Sequence, residues 1–550
     1  MAVMRIGELL ISKGLLNDNQ LSIAIVQQKV TGQLMGDILV SLGFVSAMEF
    51  SRAIAEQSGI EFIQLNDWVI DEDALKLVPK DVAEKSGFIP LELLDGILSV
   101  GIINPSNIVA IDVVTRITSR PPKIYMVDAE SFYDQFEKAY FFVEHPVAQR
   151  MEATINTIKE LTGAVPGQIF SDITDLLVMD GIRQKATDIH ISPSGGGINV
   201  FYRVDGVLQY GHFIPKAVHS GIISRIKIIS QLDIAEQRLP QDGSFTFDFI
   251  NKKYEIRVST ISTIYGENVV LRVLSGTGSL MSLGSLGLYQ ENVLKVRKLF
   301  QKSYGIILVT GPTGSGKTTT LYAALREVNL LERNVITVED PVEYRLSFVK
   351  QTQVNEKTGY TFSMASRNFM RQDPDVMLLG EIRDSDTASI AIRASITGHL
   401  VLSTLHTNDA VTTIPRLLEL GIDKYLLSSS LLAILAQRLV RKICQHCREE
   451  YLPDEEELSV FRSAGYTSLT RAMRGAGCSK CNQTGYSGRT VICEILILNN
   501  DICELIFSGA STIALLDVAV RSGMLPIKLD GISKAAEGIT TLHEVLRVVG

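Results

Sequence analysis

Six cysteines in 550 residues, with no segment to carry them to an oxidising compartment, leave little material for a disulfide framework. The opening Met1-Ala-Val-Met-Arg5 lacks a hydrophobic signal core. No apolar run approaches the ~18 residues that a spanning helix requires, and the strongest, Leu426 to Ala436, is broken by serines. Basic charge is also short. With 53 Lys and Arg against 61 Asp and Glu the net charge is −8, which argues against a nucleic-acid motor with a broad basic track. These absences predict a cytoplasmic chain that reaches any membrane through a partner. What the chain has is length, too much for one core and enough for three to five units.

One stretch carries a defined chemistry. Gly311, Pro312, Thr313, Gly314, Ser315, Gly316, Lys317, Thr318 and Thr319 have phosphate-loop spacing and directly follow the apolar run Gly305-Ile-Ile-Leu-Val-Thr310. Small residues let the backbone N–H groups curl around phosphate oxygens, and the helix starting near Lys317 turns its positive end toward them. Lys317 is expected to reach the β and γ phosphates of ATP, and Thr318 to bind Mg²⁺. Three further runs read as strands that end in polar groups. Val335–Val338 leads into Glu339 and Asp340, Val376–Leu379 into Gly380 and Glu381, and Leu400–Thr404 into Leu405 and His406. Ligands in an open α/β sheet bind outside the carboxyl ends of the strands, so these groups are expected around the γ-phosphate. Glu339 and Glu381 compete to polarise the attacking water, the other helping to hold Mg²⁺ through water.

Arg371-Gln-Asp-Pro-Asp-Val-Met-Leu-Leu-Gly-Glu-Ile-Arg-Asp384, the acidic box Val338-Glu-Asp-Pro-Val-Glu343 and the histidine box Thr397 to Asp409 resemble the secretion-superfamily ATPases. More narrowly, nearly the whole chain resembles the type II secretion and type IV pilus assembly (extension) ATPases. The resemblance implies a hexameric RecA-like motor acting on an inner-membrane platform protein, with Glu339 and Glu381 serving hydrolysis. It makes His399 and His406 the histidine-box residues that sense the γ-phosphate. It also implies a second N-terminal domain that closes over the nucleotide. Strand alternation in Tyr254-Glu-Ile-Arg-Val-Ser259 puts Arg257 on the open face, opposite Tyr254, Ile256 and Val258. Arg257, and second Arg272, match the arginines by which that domain reaches the phosphates. The chain departs from the family at Pro240-Gln-Asp-Gly-Ser244, where an arginine ordinarily follows the glycine.

Cys444-Gln-His-Cys447 and Cys478-Ser-Lys-Cys481 are two knuckles whose spacing suits a closed tetrahedral zinc site, a structural rather than catalytic one. Redox-active pairs are the alternative. Cys493 and Cys503 lie in apolar surroundings as core residues.

The first sixty residues contain a repeat. Arg5-Ile6-Gly7, Leu10, Gly14, Leu21, Ala24-Ile25 and Gln28 recur about 29 residues later as Leu34-Met-Gly36, Leu39, Gly43, Phe50, Ala53-Ile54 and Gln57. Each copy reads as two helices, the first ending at Gly14 or Gly43, the second opened by Asn17 with Gln20 or Ser46 with Glu49. Periodicity alone fits a helical docking bundle. The pattern also resembles the tandem cyclic-di-GMP-binding module of some pilus and secretion ATPases, which implicates Arg5, Ile6, Gly7, Gln28, Gly36 and Gln57; Leu34 replaces the arginine in the second copy.

The expected fold is α/β multidomain. Residues 1–60 form the helical repeat, 61–145 a general N-terminal domain, 146–164 a linker and 165–278 the arginine-bearing α/β domain. A RecA-like core follows over 279–440, then a Cys₄ module over 441–492 and a helical region over 493–550. The alternative functions are a nucleic-acid translocase on the same core and a non-catalytic nucleotide-gated scaffold, the latter opposed by retention of both Glu339 and Glu381.

Overall fold

A computed structural model describes residues 5–160, 163–275 and 281–550. The boundary expected at 278/279 lies within residues 276–280, outside the described residues. The chain divides into two units, Met1–Val26 with Ala47–Ser279, and Gln27–Ser46 with Leu280–Gly550.

The four helices of the repeat are Ile6–Ser12, Asp18–Thr31, Met35–Ser41 and Ala47–Ser58. Gly14 and Gly43 follow the first helix of each copy at φ +67° and +72°, the left-handed conformation that ends a helix. Asn17 and Gln20 cap each other reciprocally at 2.8 and 3.0 Å. Within the first unit, a four-stranded sheet (Glu61–Phe62, Lys123–Met126, Ile97–Ile102, Phe88–Leu94) is followed by a six-stranded antiparallel one over 188–275. The segment expected as a linker contains a helix, Val147–Glu160. Its buried Val147, Met151, Ile155 and Ile158 recur at helical spacing and join the core of the six-stranded sheet, so burial rather than flexibility governs this stretch.

The second unit is built on a seven-stranded sheet ordered Val349–Gln353, Val335–Glu339, Val376–Leu379, Leu400–Leu405, Gly305–Thr310, Leu431–Ile443 and Tyr486–Ile497. All neighbours are parallel except the last pair. Gly305–Thr310, Val376–Leu379 and Leu400–Leu405 are buried at every position. That is why they read as mostly apolar runs: both faces of the sheet are covered, by separate cores, and the buried hydroxyls of Thr310, Ser403 and Thr404 are hydrogen-bonded. The last two strands form an antiparallel ribbon, with Gln437 opposite Cys493, that crosses the boundaries expected at 440/441 and 492/493. The ribbon's far end carries the cysteine knuckles and a small sheet, Arg448–Tyr451 with Ala472–Gly475. The helix Leu542–Val549 is anchored to it by fully buried Glu544, which accepts from Arg441 and Arg547 at 2.7 Å each. Burial alone would raise this carboxyl; the two guanidiniums outweigh it and hold the pKa at about 2.

Candidate active site and metal centre

The buried strand Gly305–Thr310 ends where the chain must turn back on itself. Gly311 (φ +150°), Gly314 (+78°) and Gly316 (+85°) provide the turn. A side chain at Gly311 would come within 2.5 Å of Ser315 Oγ and 2.6 Å of the Gln437 carbonyl, so only glycine fits there. The helix Lys317–Leu325 starts directly after Gly316. Lys317 Nζ donates to the carbonyls of Gly311 (2.8 Å) and Pro312 (3.1 Å). Burial lowers the Lys317 pKa, against the opposing pull of the Glu381 charge.

Parallel register brings the other strand ends to the same edge. Thr310 is level with Leu405 on one side and Ala436 on the other, and Leu379 with Ser403. Glu381 ion-pairs with Arg383 and lies 3.4 Å from His406 Nε2. Glu339 sits deeper, 4% exposed, and accepts from Tyr322 Oη, Thr337 Oγ1 (2.6 Å) and Gln351 Nε2 (3.2 Å). The two carboxylates are thus held differently, Glu381 beside charged groups and Glu339 among neutral donors. His399 precedes the strand that ends before His406 and bonds the Ala394 carbonyl at 2.8 Å, so the two histidines stand at opposite ends of it.

Two residues unmarked in the sequence support this edge. Gln437 donates to the Ser315 carbonyl at 2.8 Å, bracing the phosphate loop from below. Arg438 donates to the Asn408 carbonyl at 2.7 Å, while Glu494 accepts from the backbone N–H groups of Ala410 (2.7 Å) and Ile527 (2.9 Å). Thr310 Oγ1 accepts from Thr407 N–H at 3.0 Å. Neighbouring polar residues inside Leu431-Leu-Ala-Ile-Leu-Ala-Gln-Arg-Leu-Val440 were the available signal, since a buried strand retains polar groups only where they are bonded.

In the first unit, Arg257 and Arg272 face each other in register on adjacent strands. Ser244 lies opposite Arg257, Asp188 opposite Arg272, and Arg203 opposite Asp188, so a polar row crosses five of the six strands and ends at Leu208, opposite Arg203. Arg272 Nε pairs with Asp188 at 3.0 Å yet its side chain stays 55% exposed; Arg257 Nε stands 3.5 Å from Glu255.

The thiols of Cys444, Cys447, Cys478 and Cys481 all lie within 4.8 Å of one another. Sγ pairs at 3.7, 3.8 and 4.0 Å match the edges of roughly 3.8 Å that four thiolates at ~2.3 Å from one zinc would form. Backbone N–H groups of Cys478 and Gly485 point at Cys481 Sγ, each at 3.2 Å. Burial would raise the Cys481 thiol, but these donors prevail and bring it down to about 7, toward the thiolate a metal needs. The donor set therefore fits zinc. Cys493 is buried in the core, its thiol pushed up to about 12 by burial, and Cys503 is half-buried against the Ser428 carbonyl.

A family model described as Type II/IV secretion system protein matches residues 166–547. The chain belongs to this family of secretion ATPases. It is an ATP hydrolase. An MshEN domain model matches residues 58–141. The Type IV pilus assembly ATPase PilB of Myxococcus xanthus is 36% identical over 556 residues, covering 98% of each chain. The Type II secretion system protein E of Xanthomonas campestris pv. campestris is 37% identical over 564 residues, covering 99% of this chain and 98% of its own. The Legionella pneumophila ATPase DotB shares the fold at a TM-score of 0.51, with 19% identity over 68% of this chain and 94% of its own. Among the described residues no helix is long and apolar enough to cross a membrane.

Proposed function

We propose that this ATPase is a cytoplasmic homohexameric motor that couples ATP hydrolysis, through an inner-membrane platform protein, to assembly of a pilus or secretion pseudopilus. The observation that carries this reading is similarity to a pilus assembly ATPase and a type II secretion protein along almost the entire chain, not the ATPase core alone. Gly311 to Thr319 hold the nucleotide, Lys317 contacts its β and γ phosphates and Thr318 ligates Mg²⁺. Glu381 and Glu339 divide the work of polarising water and holding the metal's water shell, His406 reads the γ-phosphate through Glu381, and Arg257 and Arg272 neutralise charge on the transferring phosphoryl group. Zinc held by the four cysteines fixes the end of the ribbon. Removing the chain from its host is expected to abolish filament assembly, with rescue by wild type and none by Glu381→Gln. Intact piliation and secretion without the chain would overturn the reading.

Cyclic-di-GMP is the proposed regulator. Arg5, at the exposed start of the first helix, is the residue proposed to read a guanine edge with its guanidinium, while its backbone N–H approaches Glu8 at 3.4 Å. A side chain at Gly7 would stand 2.9 Å from Leu21 Cδ1, so the Leu21 side chain would have to shift to admit one. Ile6, Gly36, Gln28 and Gln57 complete the proposed contacts, Gln28 being half-buried and bonded to the Gln33 carbonyl at 3.2 Å. Arg5→Ala in the full chain is expected to weaken cyclic-di-GMP binding by about tenfold or more, read by isothermal titration. Absence of binding by wild type would return the repeat to a docking bundle, and unchanged affinity in Arg5→Ala would refute the residue.

A further inference from the structure

Gln351 lies on the edge strand Val349–Gln353, opposite Thr337 in register, and its side chain is half-buried. Its amide joins two structures that the sequence keeps apart. Oε1 accepts from Leu346 N–H at 2.7 Å. Nε2 donates to the Tyr344 carbonyl at 2.9 Å, and is also within reach of Glu339 Oε1 (3.2 Å) and Tyr322 Oη (3.3 Å). Gln351 therefore shapes the turn 344–348 with the same group that touches the acidic-box carboxylate.

Both ends of this connection matter. Among the described residues Glu339 accepts from three neutral side chains, those of Tyr322, Thr337 and Gln351, so these hydrogen bonds fix where its carboxylate points; each donor removed frees the carboxylate to turn. At the other end, the turn supports part of the N-terminal repeat. Phe348 stacks on Phe44, with ring centroids 6.1 Å apart and planes within 10°, and Ser347 Oγ donates to the Ser41 carbonyl at 3.3 Å. Phe348 adopts φ +64°, uncommon for an aromatic residue, so the turn has a specific conformation to maintain.

We propose that Gln351 is a positioning residue for Glu339, holding its carboxylate in orientation, and that it ties Glu339 to the turn on which residues 41–44 of the second repeat rest. The inference rests on the reading that Glu339 serves hydrolysis, and the test separates the two. Steady-state ATP turnover is measured on the full-length protein. Glu339→Gln is expected to be inactive, and Gln351→Met, similar in shape but without either polar atom, to lose about tenfold in kcat with KM for ATP changed by less than about twofold. In Gln351→Glu the introduced carboxyl can donate to Glu339 only when protonated, so turnover relative to wild type is expected to rise as pH falls from about 8 to about 6. Phe44→Ala is expected to alter kcat in wild type and not in Gln351→Met. Wild-type turnover in Glu339→Gln would remove the underlying reading. Inactive Glu339→Gln with normal Gln351→Met and a pH-independent Gln351→Glu ratio would overturn the positioning role alone, and equal effects of Phe44→Ala in both backgrounds would overturn the tie to the repeat.

Discussion

Glu381→Gln is expected to bind ATP with near wild-type affinity and to turn it over about 10² to 10³ times more slowly, whereas Lys317→Ala is expected to lose productive binding altogether. The difference follows from where the two charges stand. Lys317 opens the helix behind the phosphate loop and its ammonium is held beside the loop carbonyls of Gly311 and Pro312, where phosphate oxygens are to be received. Without it the backbone cradle faces a polyanion with no full positive charge of its own. Glu381 sits two strands along the edge, beyond Leu400–Leu405, paired with Arg383 and 3.4 Å from His406. The amide of glutamine preserves size and hydrogen bonding but cannot take a proton from water or strongly polarise it. Nucleotide titration and single-turnover hydrolysis distinguish the two variants, and wild-type turnover in Glu381→Gln would reject its assignment.

Much of this site was legible because the fold writes it locally. A central parallel strand is buried on both faces, so its residues are mostly apolar or bonded hydroxyls and the first ionisable group after them marks the edge. Glu339, Glu381 and His406 all announce themselves this way. The phosphate loop is visible because its glycines satisfy backbone demands that no other residue meets. Gln351, Gln437 and Arg438 were missed for the complementary reason: their importance lies in partners 12, 122 and 30 residues away, set by strand order and register. The polar row from Ser244 through Arg257 and Arg272 to Asp188 and Arg203 likewise exists only once strands are paired. A linker was expected at 146–164, but the apolar spacing of Val147, Met151, Ile155 and Ile158 places a packed helix there. The edges expected for the cysteine module at 440/441 and 492/493 cut through strands, because the ribbon passes from ATPase sheet to knuckles without a break.

That continuity shapes what loss of the metal should do. Cys444 follows immediately on Ile443, the last residue of a strand whose earlier Gln437 braces the phosphate loop, and Cys481 lies five residues before Tyr486, where the returning strand begins. At the knuckles the backbones of Gly475 and Gly485 approach so closely that a side chain at Gly475 would fall 2.0 Å from the Gly485 carbonyl. Little apolar burial holds this end: Cys444 and Cys481 are buried, but Cys447 and Cys478 are only partly so. The binding energy of a structural zinc, of order 10 kcal/mol in isolated modules, is therefore the main term available to order it. Cys444→Ser or Cys478→Ser is expected to release about one zinc per chain and to open the segment from Ile443 to Arg489 to protease, with filament assembly lost. Inner parts of the ribbon keep their own anchor in Glu544 with Arg441 and Arg547, so nucleotide binding should decline less than assembly. Metal analysis with limited proteolysis checks both parts. Purified wild-type protein without zinc, and with its thiols cycling reversibly to disulfide, would instead make the two knuckles redox pairs.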